Sequence, residues 1–332
     1  MSRSLDPRRN AYRADLADER LAGSVSANRF VASITRQVIA PVMPVRRHPR
    51  PNSPLDTEAL FGEIVHVFEE TGEGWSWVQL ADDGYVGYAP SAMLGDVGGL
   101  PSHKVSVLRT FLYPGPNIKL PPEAAISLGA KIAVHKEDPP FFILDDGLAV
   151  IASHLSPLDW FADDFVAVAE RFLGVPYLWG GKSSLGLDCS GLLQLACLAV
   201  GIAAPRDTDM QEAELGDDIG TEIAGLRRGD LVFWKGHVGI MRDEKALLHA
   251  NAHHMMVASE PLAEAVARIG ATGLPITRIR RVPSYRATAN RSSKASSSNV
   301  SSAAALAGLR SDRGSNDGSC DSGALRFQGQ TS

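Results

Sequence analysis

The sequence predicts an α+β domain preceded by two small β-barrels of SH3-like type. Three observations carry this. Short alternating runs separated by turn residues fill the first half of the chain. Two helix-period stretches follow after residue 157. A series of strands then closes the folded part, and helices first with antiparallel strands afterwards is the α+β pattern. The chain has 332 residues, 44% hydrophobic and 21% charged, a balance that can bury a core.

Residues 1–35 are mostly polar and read as a leader lying over the domains. Residues 36–100 hold "GEIVHVFEE", "SWVQLA" and "YVGYAP", with Asp83-Gly84 as a hairpin turn between two alternating runs. About five short strands at this spacing suggest the first barrel. Residues 101–156 repeat the texture in "KVSVLRTFLY", "AKIAVHKE", "PPFFILDDG" and "LAVIASHL", read as a second, more divergent barrel. The third domain spans 157–285. In "ADDFVAVAERFLG", Phe165, Val168, Ala169, Phe172 and Leu173 recur at helical spacing, with Asp163 or Asp164 as cap and Gly174 as stop. "CSGLLQLACLAVGI" is apolar nearly all round, hence a buried helix, capped by Asp188 and ended near Gly201. Strands follow in "DLVFW", "HVGIMR", "KALLHAN", "MMVASE" and "ITRIRRVP". Residues 286–332 are rich in Ser, Ala, Gly and Asn without a core pattern, and disorder is expected there.

A net charge of −5 gives no reason to expect nucleic acid or an anionic membrane as partner. Three cysteines without a CxxC cannot build a disulfide framework and suit a reducing compartment. The charged N-terminus has no apolar signal segment, and no stretch reaches the ~18 apolar residues of a spanning helix, so a cytoplasmic, soluble protein is expected.

Chemistry concentrates at Cys189, which heads its helix. Backbone N–H groups and the helix dipole favour an anion there, so the thiol pKa is expected to fall. Cys197, mid-helix among Leu195, Leu198 and Ala199, reads as an inert small hydrophobe. Packing, metal binding and nucleophilic attack all remain open for Cys189 on position alone. A nucleophilic thiol needs a base, and the base needs an orienting group. His237 begins one strand and His249 lies 12 residues later on the next. Adjacent antiparallel strands can set them side by side, so that His237 takes the thiol proton and His249 meets its other nitrogen. A rival is a metal site of Cys189, His237, His249 and His253, although no ligand pair has structural-zinc spacing.

The ordered blocks "YLWGG", "DCSGL", "PRDTDMQ", "RGDLVFW", "GHVGI" and "LLHANA", over about 175–260, resemble the NlpC-type family of bacterial cell-wall cysteine peptidases. The resemblance implies a papain-like catalytic domain, a triad of Cys189, His237 and His249, and no cofactor or metal. Two preceding barrels resemble the branch of γ-D-glutamyl-L-diamino acid dipeptidyl-peptidases, in which the first barrel closes one end of the groove and binds the free amine. This implies a murein stem peptide, L-Ala-γ-D-Glu-diamino acid, as partner and a role in cell-wall peptide recycling. It also implies contacts from Tyr177, Asp188, Ser190 and Thr208, and from Asp56, Glu58 and Tyr85 on the first barrel. Alternatives are an endopeptidase acting on intact wall or an inactive domain that binds wall fragments.

Asp188 poses a physical problem. A carboxylate beside a thiolate raises the thiol pKa. It serves either as a plain helix N-cap or as an anchor for a substrate ammonium that cancels the penalty once bound. Trp179, Gly180 and Gly181 are expected to shape the turn leading to Cys189. Arg206 and Asp207 are expected to pair locally.

Overall fold

The computed structural model describes residues 5–283; the tail expected over 286–332 lies outside the described residues. In the leader, Leu16 and Ala11 pack with Phe68 and Trp77 of the first barrel region. Arg13 lies over the Trp77 ring at 4.3 Å and pairs with Glu69. Ala11, Arg13 and Leu16 of the leader thus pack on the first sheet region.

A seven-stranded antiparallel sheet runs from Ile34 to Gly95. Its order is Leu55–Leu60, Val42–Arg46, Val86–Pro90, Trp75–Leu80, Ile64–Glu70, Ile34–Val38 and Leu94–Gly95. Alternation decides which face is buried. Val65 and Val67, Val78 and Leu80, and Met43 and Val45 point inward and form one cluster with Tyr85 and Ala89. The Asp83-Gly84 hairpin forms as expected, with Gly84 at φ +75°.

The region expected as a second barrel is built differently. It holds three short sheets of three, two and three strands between His103 and Pro157, not one continuous barrel sheet. Its buried residues, among them Leu112, Ile126, Ile132 and Val150, join the same core cluster as the third domain. Strands of two to four residues are too short to bury a separate core, so this region shares its neighbour's.

The third domain packs helix α2 (Cys189–Ala199) against a six-stranded antiparallel sheet, with helix α1 (Phe165–Glu170) packed on α2. The sheet order is Asp217–Asp218, Ile276–Arg281, Asp230–Trp234, His237–Met241, Ala246–Asn251 and Met256–Pro261. Asp164 caps α1 through the Val166 N–H, 2.8 Å, and Gly174 follows at φ +82°. Helix α2 is buried from Cys189 through Cys197, which explains its unbroken apolar run. Two further helices, α3 (Thr208–Glu214) and α4 (Leu262–Gly270), were not among the expected elements. The first hid in a polar loop motif. The second follows its strand at Pro261 without a side-chain cap to announce it.

Candidate active site

The start of α2 is fixed by one carboxylate. Asp188 Oδ1 accepts from the Gly191 N–H at 2.7 Å, and Oδ2 accepts from the Gly180 N–H at 2.9 Å. The turn before it is tight. Gly180 has φ +76°, and a Cβ there would lie 2.6 Å from the Leu55 carbonyl oxygen of the first sheet. A side chain would push the two domains apart at this point. The helix's own bonds begin with Leu192 N–H to the Asp188 carbonyl, 3.0 Å, so the Cys189 and Ser190 N–H groups precede the ladder.

Cys189 is 8% exposed and borders a cleft of about 760 Å³. The cleft draws on three parts of the fold: Arg8 and Tyr12 from the leader, Arg47, Asp56 and Tyr85 from the first sheet region, and Tyr177, Asp188, Ser190, Asp207 and Thr208 around the thiol. Thr208 Oγ1 lies 3.9 Å from Sγ. Burial pushes the thiol up to about 11, with Asp188 acting in the same direction, and the Val238 N–H, Thr208 and Arg206 opposing it. Cys197, buried among apolar groups, is pushed up to about 12. The expectation of a low-pKa Cys189 therefore does not hold for the free site: desolvation outweighs the helix start. Iodoacetamide alkylation of the free enzyme is expected to accelerate with pH beyond about 8, Cys189 ahead of Cys197. A rate plateau already reached near pH 6, or equal labelling of the two thiols, would contradict this.

The histidines stand as the strand pairing requires. Ile240 pairs with Leu248, so continuing the ladder sets His249 diagonal to His237 on one face. His237 Nε2 and His249 Nδ1 are 2.8 Å apart. Helix α2 packs on the His237 strand, and the Val238 N–H reaches Cys189 Sγ. Both rings are held neutral: burial pushes His237 down to about 3 and His249 to about 4. Beyond them lies a residue that the sequence did not single out. Glu260 Oε1 is 2.7 Å from His249 Nε2, and Arg268 donates to Glu260 Oε2 at 2.6 Å. Among the described residues the grouping with ligand-like spacing is His249, His254 and Glu260, not the expected set with Cys189, His237 and His253. In it, His249 already uses both ring nitrogens.

Two expectations about charged groups change. Arg206 does not pair with its neighbour Asp207 but with Asp188, through Nη1–Oδ1 at 2.9 Å and Nη2–Oδ2 at 2.8 Å. It also donates to Ser190 Oγ at 2.7 Å and, from Nε, to Thr57 Oγ1 on the first sheet at 2.8 Å. Arg206 thus offsets part of the penalty that Asp188 places on the thiol. Asp207 instead accepts from the Tyr85 hydroxyl at 3.1 Å and from Arg8 at 2.8 Å. Glu58 does not reach the cleft. It is buried, its Oε2 accepts the Lys182 N–H at 2.8 Å, and burial pushes its carboxyl up. Strand alternation alone would put Asp56 and Glu58, two apart, on one face, but the strand's burial deepens from Thr57 onward and takes Glu58 inside. Asp56 does line the cleft and pairs with the exposed Arg47 at 2.7 Å. Tyr177 lines it too, its phenol pushed up to about 12 by burial beside Cys189 and Asp188. Arg8 and Arg47 were not foreseen. A basic side chain in a polar leader carries no motif, and only the fold brings it to the cleft.

Comparison with known proteins agrees with this layout. Residues 174–268 match the NlpC/P60 family, and residues 45–94 match the bacterial dipeptidyl-peptidase SH3 domain. The gamma-D-glutamyl-L-lysine dipeptidyl-peptidase of Bacillus cereus is 27% identical over 250 residues, covering 63% of this chain and 71% of that one. The probable endopeptidase NlpC of Escherichia coli is 32% identical over 125 residues, 35% of this chain and 72% of the relative. A Bacillus subtilis gamma-D-glutamyl-L-lysine dipeptidyl-peptidase is 38% identical, but the match spans only 32% of its length. In fold, the chain is similar to a crystal structure of an NlpC/P60 family protein from Bacillus cereus, with TM-score 0.63 and 21% identity. That match covers 75% of this chain and 99% of the other.

Proposed function

The chain belongs to the NlpC/P60 family, and on that premise we propose that it is a cysteine peptidase that cleaves the γ-D-glutamyl–diamino acid bond of murein peptides beginning with free L-Ala. The observation that carries this reading is the cleft itself. Cys189 sits in a wall whose far side is supplied by Arg8, Arg47, Asp56 and Tyr85 from outside the catalytic domain. A cleft bounded in that way favours a short peptide end over a continuous wall strand. Its mixed lining of three arginines (Arg8, Arg13 and Arg47) and four aspartates (Asp56, Asp188, Asp207 and Asp209) suits a zwitterion carrying an ammonium and a carboxylate.

The chemistry follows from the positions. His237 Nε2 faces His249, which leaves Nδ1 to take the proton from Cys189 Sγ. The thiolate attacks the γ-carbonyl carbon. The N–H groups of Cys189 and Ser190 meet the oxyanion that forms. The protonated His237 gives its proton to the departing amine, leaving a thioester on Cys189. A water, deprotonated by His237, then attacks the thioester carbon, and the proton returns to sulfur. Because both partners rest neutral, thiolate formation is coupled to substrate binding. Asp56, Asp188 and Tyr85 hold the substrate amine, with Asp207 fixing the Tyr85 hydroxyl. Tyr177, Ser190 and Thr208 contact the peptide around the thiol. Among the described residues no helix is long and apolar enough to cross a membrane.

Mass spectrometry of L-Ala-γ-D-Glu-meso-diaminopimelate digests tests the reading. The expected products are L-Ala-γ-D-Glu and free diamino acid. N-acetylation of the alanine is expected to lower kcat/KM by about a hundredfold, because two charge-assisted hydrogen bonds at ~1.5 kcal/mol each are lost. Asp56→Asn is the cleaner variant for this test, since Asp188 also caps α2 and pairs with Arg206. It is expected to shrink the difference between free and acetylated peptide. Equal cleavage of both peptides by the unmodified protein would instead favour an endopeptidase acting on longer strands.

A further inference from the structure

The geometry points to Glu260 as a positioning residue for the reaction: through His249 it decides which nitrogen of His237 is free to act as base. The inference rests on the peptidase reading above and adds to it a carboxylate outside the Cys189, His237 and His249 set.

Glu260 Oε1 lies 2.7 Å from His249 Nε2, and the His249 side chain is fully buried. An ionised carboxylate only accepts, so His249 Nε2 must carry the hydrogen. A neutral imidazole has one N–H, so His249 Nδ1 is then an acceptor. His237 Nε2, 2.8 Å away, must donate to it. That leaves the lone pair of His237 on Nδ1, the nitrogen not engaged with His249. Each link is forced by the one before it, and the series begins at Glu260. Were Glu260 a donor, every hydrogen would reverse and His237 Nδ1 would carry a proton with no capacity to accept one.

Glu260 is held ionised by two donors together, Arg268, which donates to both of its oxygens, and the His249 N–H. Its carboxyl is accordingly pushed down to about 2, with the Arg268 and His249 bonds overcoming burial. The placement is built by the sheet and not by chance side-chain reach. His249 pairs with Ala258 across the ladder, so Glu260, two residues on, shares its face. Arg268 comes from α4, the helix that starts directly after this strand. Glu260 also supports the imidazolium that His237 becomes during attack, as a carboxylate two rings away along an aligned hydrogen-bond series.

A pair of variants separates this role from a structural one. Glu260→Gln and Arg268→Gln each break the same bridge between α4 and the sheet, so a merely structural role predicts similar losses in melting temperature and activity. The positioning role predicts otherwise. Glu260→Gln offers His249 an amide that can donate or accept, and is expected to lower kcat by about 10- to 100-fold with KM nearly unchanged. Arg268→Gln leaves the carboxylate in place with the His249 N–H still donating to it; an acid with an ordinary pKa of about 4 stays ionised near pH 8, so kcat is expected to stay within about threefold. Glu260→Asp is expected to recover part of the loss. A second readout needs no peptide: at a fixed pH near 8, iodoacetamide should alkylate Cys189 more slowly in Glu260→Gln than in Arg268→Gln. If the unmodified protein cleaves no murein peptide but the alkylation rates differ in this way, the substrate reading fails and the positioning role stands. Equal rates and equal kcat in the two variants, or a Glu260→Gln enzyme with unchanged kcat, would overturn the role of Glu260.

Discussion

The Cys189→Ala protein is expected to fold normally and to hydrolyse murein tripeptide about 10⁴- to 10⁶-fold more slowly than the unmodified enzyme. The size follows from where the thiol sits. Cys189 is the sulfur that borders the cleft, with Thr208 beside it and the His237 strand packed on its helix. Removing it leaves the cleft and the helix-start N–H groups, which sustain binding but offer no nucleophile. Stability should change little. Asp188, not Cys189, caps the helix, and its bonds to Gly180, Gly191 and Arg206 survive the substitution. Cys197→Ala supplies the contrast. Cys197 is fully buried within the main core cluster, so its loss opens a small void and lowers the melting temperature while turnover is nearly kept. Product formation by mass spectrometry and thermal melts of both variants check the two halves. Substantial hydrolysis by Cys189→Ala would remove the thiol from the mechanism altogether.

How far the sequence disclosed this site depends on what each residue contributes locally. Helix α2 and the five main strands of the third domain were legible because period and turn residues speak for themselves: an apolar run behind Asp188, alternating runs ended by glycine. The His237 and His249 pair was legible for the same reason, since register in an antiparallel sheet follows from spacing. The interior of the second region was less so. Its strands alternate like those of a barrel, yet they are too short to enclose a core, and their buried residues serve the catalytic domain's core instead. Alternation reports which face is covered, not what covers it.

Charged groups were the least legible. Arg206 and Asp207 are neighbours in sequence, and a local pair was the economical expectation. In the fold, successive residues point apart, so Arg206 turns inward to Asp188 and Asp207 outward to Tyr85 and Arg8. Glu260 stands near the end of its strand with no motif around it, and its partner Arg268 is eight residues on in a helix that the pattern did not reveal. Glu58 resembled a cleft residue, and only the deepening burial along its strand takes it to Lys182 instead. For Asp207 and Glu58 the partner comes from a distant segment, and no window of sequence contains both.

Arg206 carries the largest expected effect on stability. Its side chain is buried and makes five hydrogen bonds: two to Asp188 and one each to Ser190, the Gly181 carbonyl and Thr57. Replacing it with methionine keeps the length and removes the charge, which strands the buried Asp188 carboxylate. Breaking a buried pair from one side costs about 3–5 kcal/mol, far more than the pair's net contribution, because the remaining ion has lost both water and partner. For a chain of this size that lowers the melting temperature by roughly 10 °C. The thiol feels the same change. Arg206 holds the Cys189 pKa down and Asp188 holds it up, so losing the cation alone moves the thiol further up and slows turnover as well. A second substitution separates the two explanations. Asp188→Asn added to Arg206→Met removes the stranded charge while keeping an N-cap, and most of the lost stability is expected to return. If Arg206→Met melts within about 2 °C of the unmodified protein, the pair is not what anchors the start of α2. If the double variant is as unstable as the single one, the loss lies in the Thr57 bond across the domain boundary and the Gly181 bond within the domain, and not in an uncompensated carboxylate.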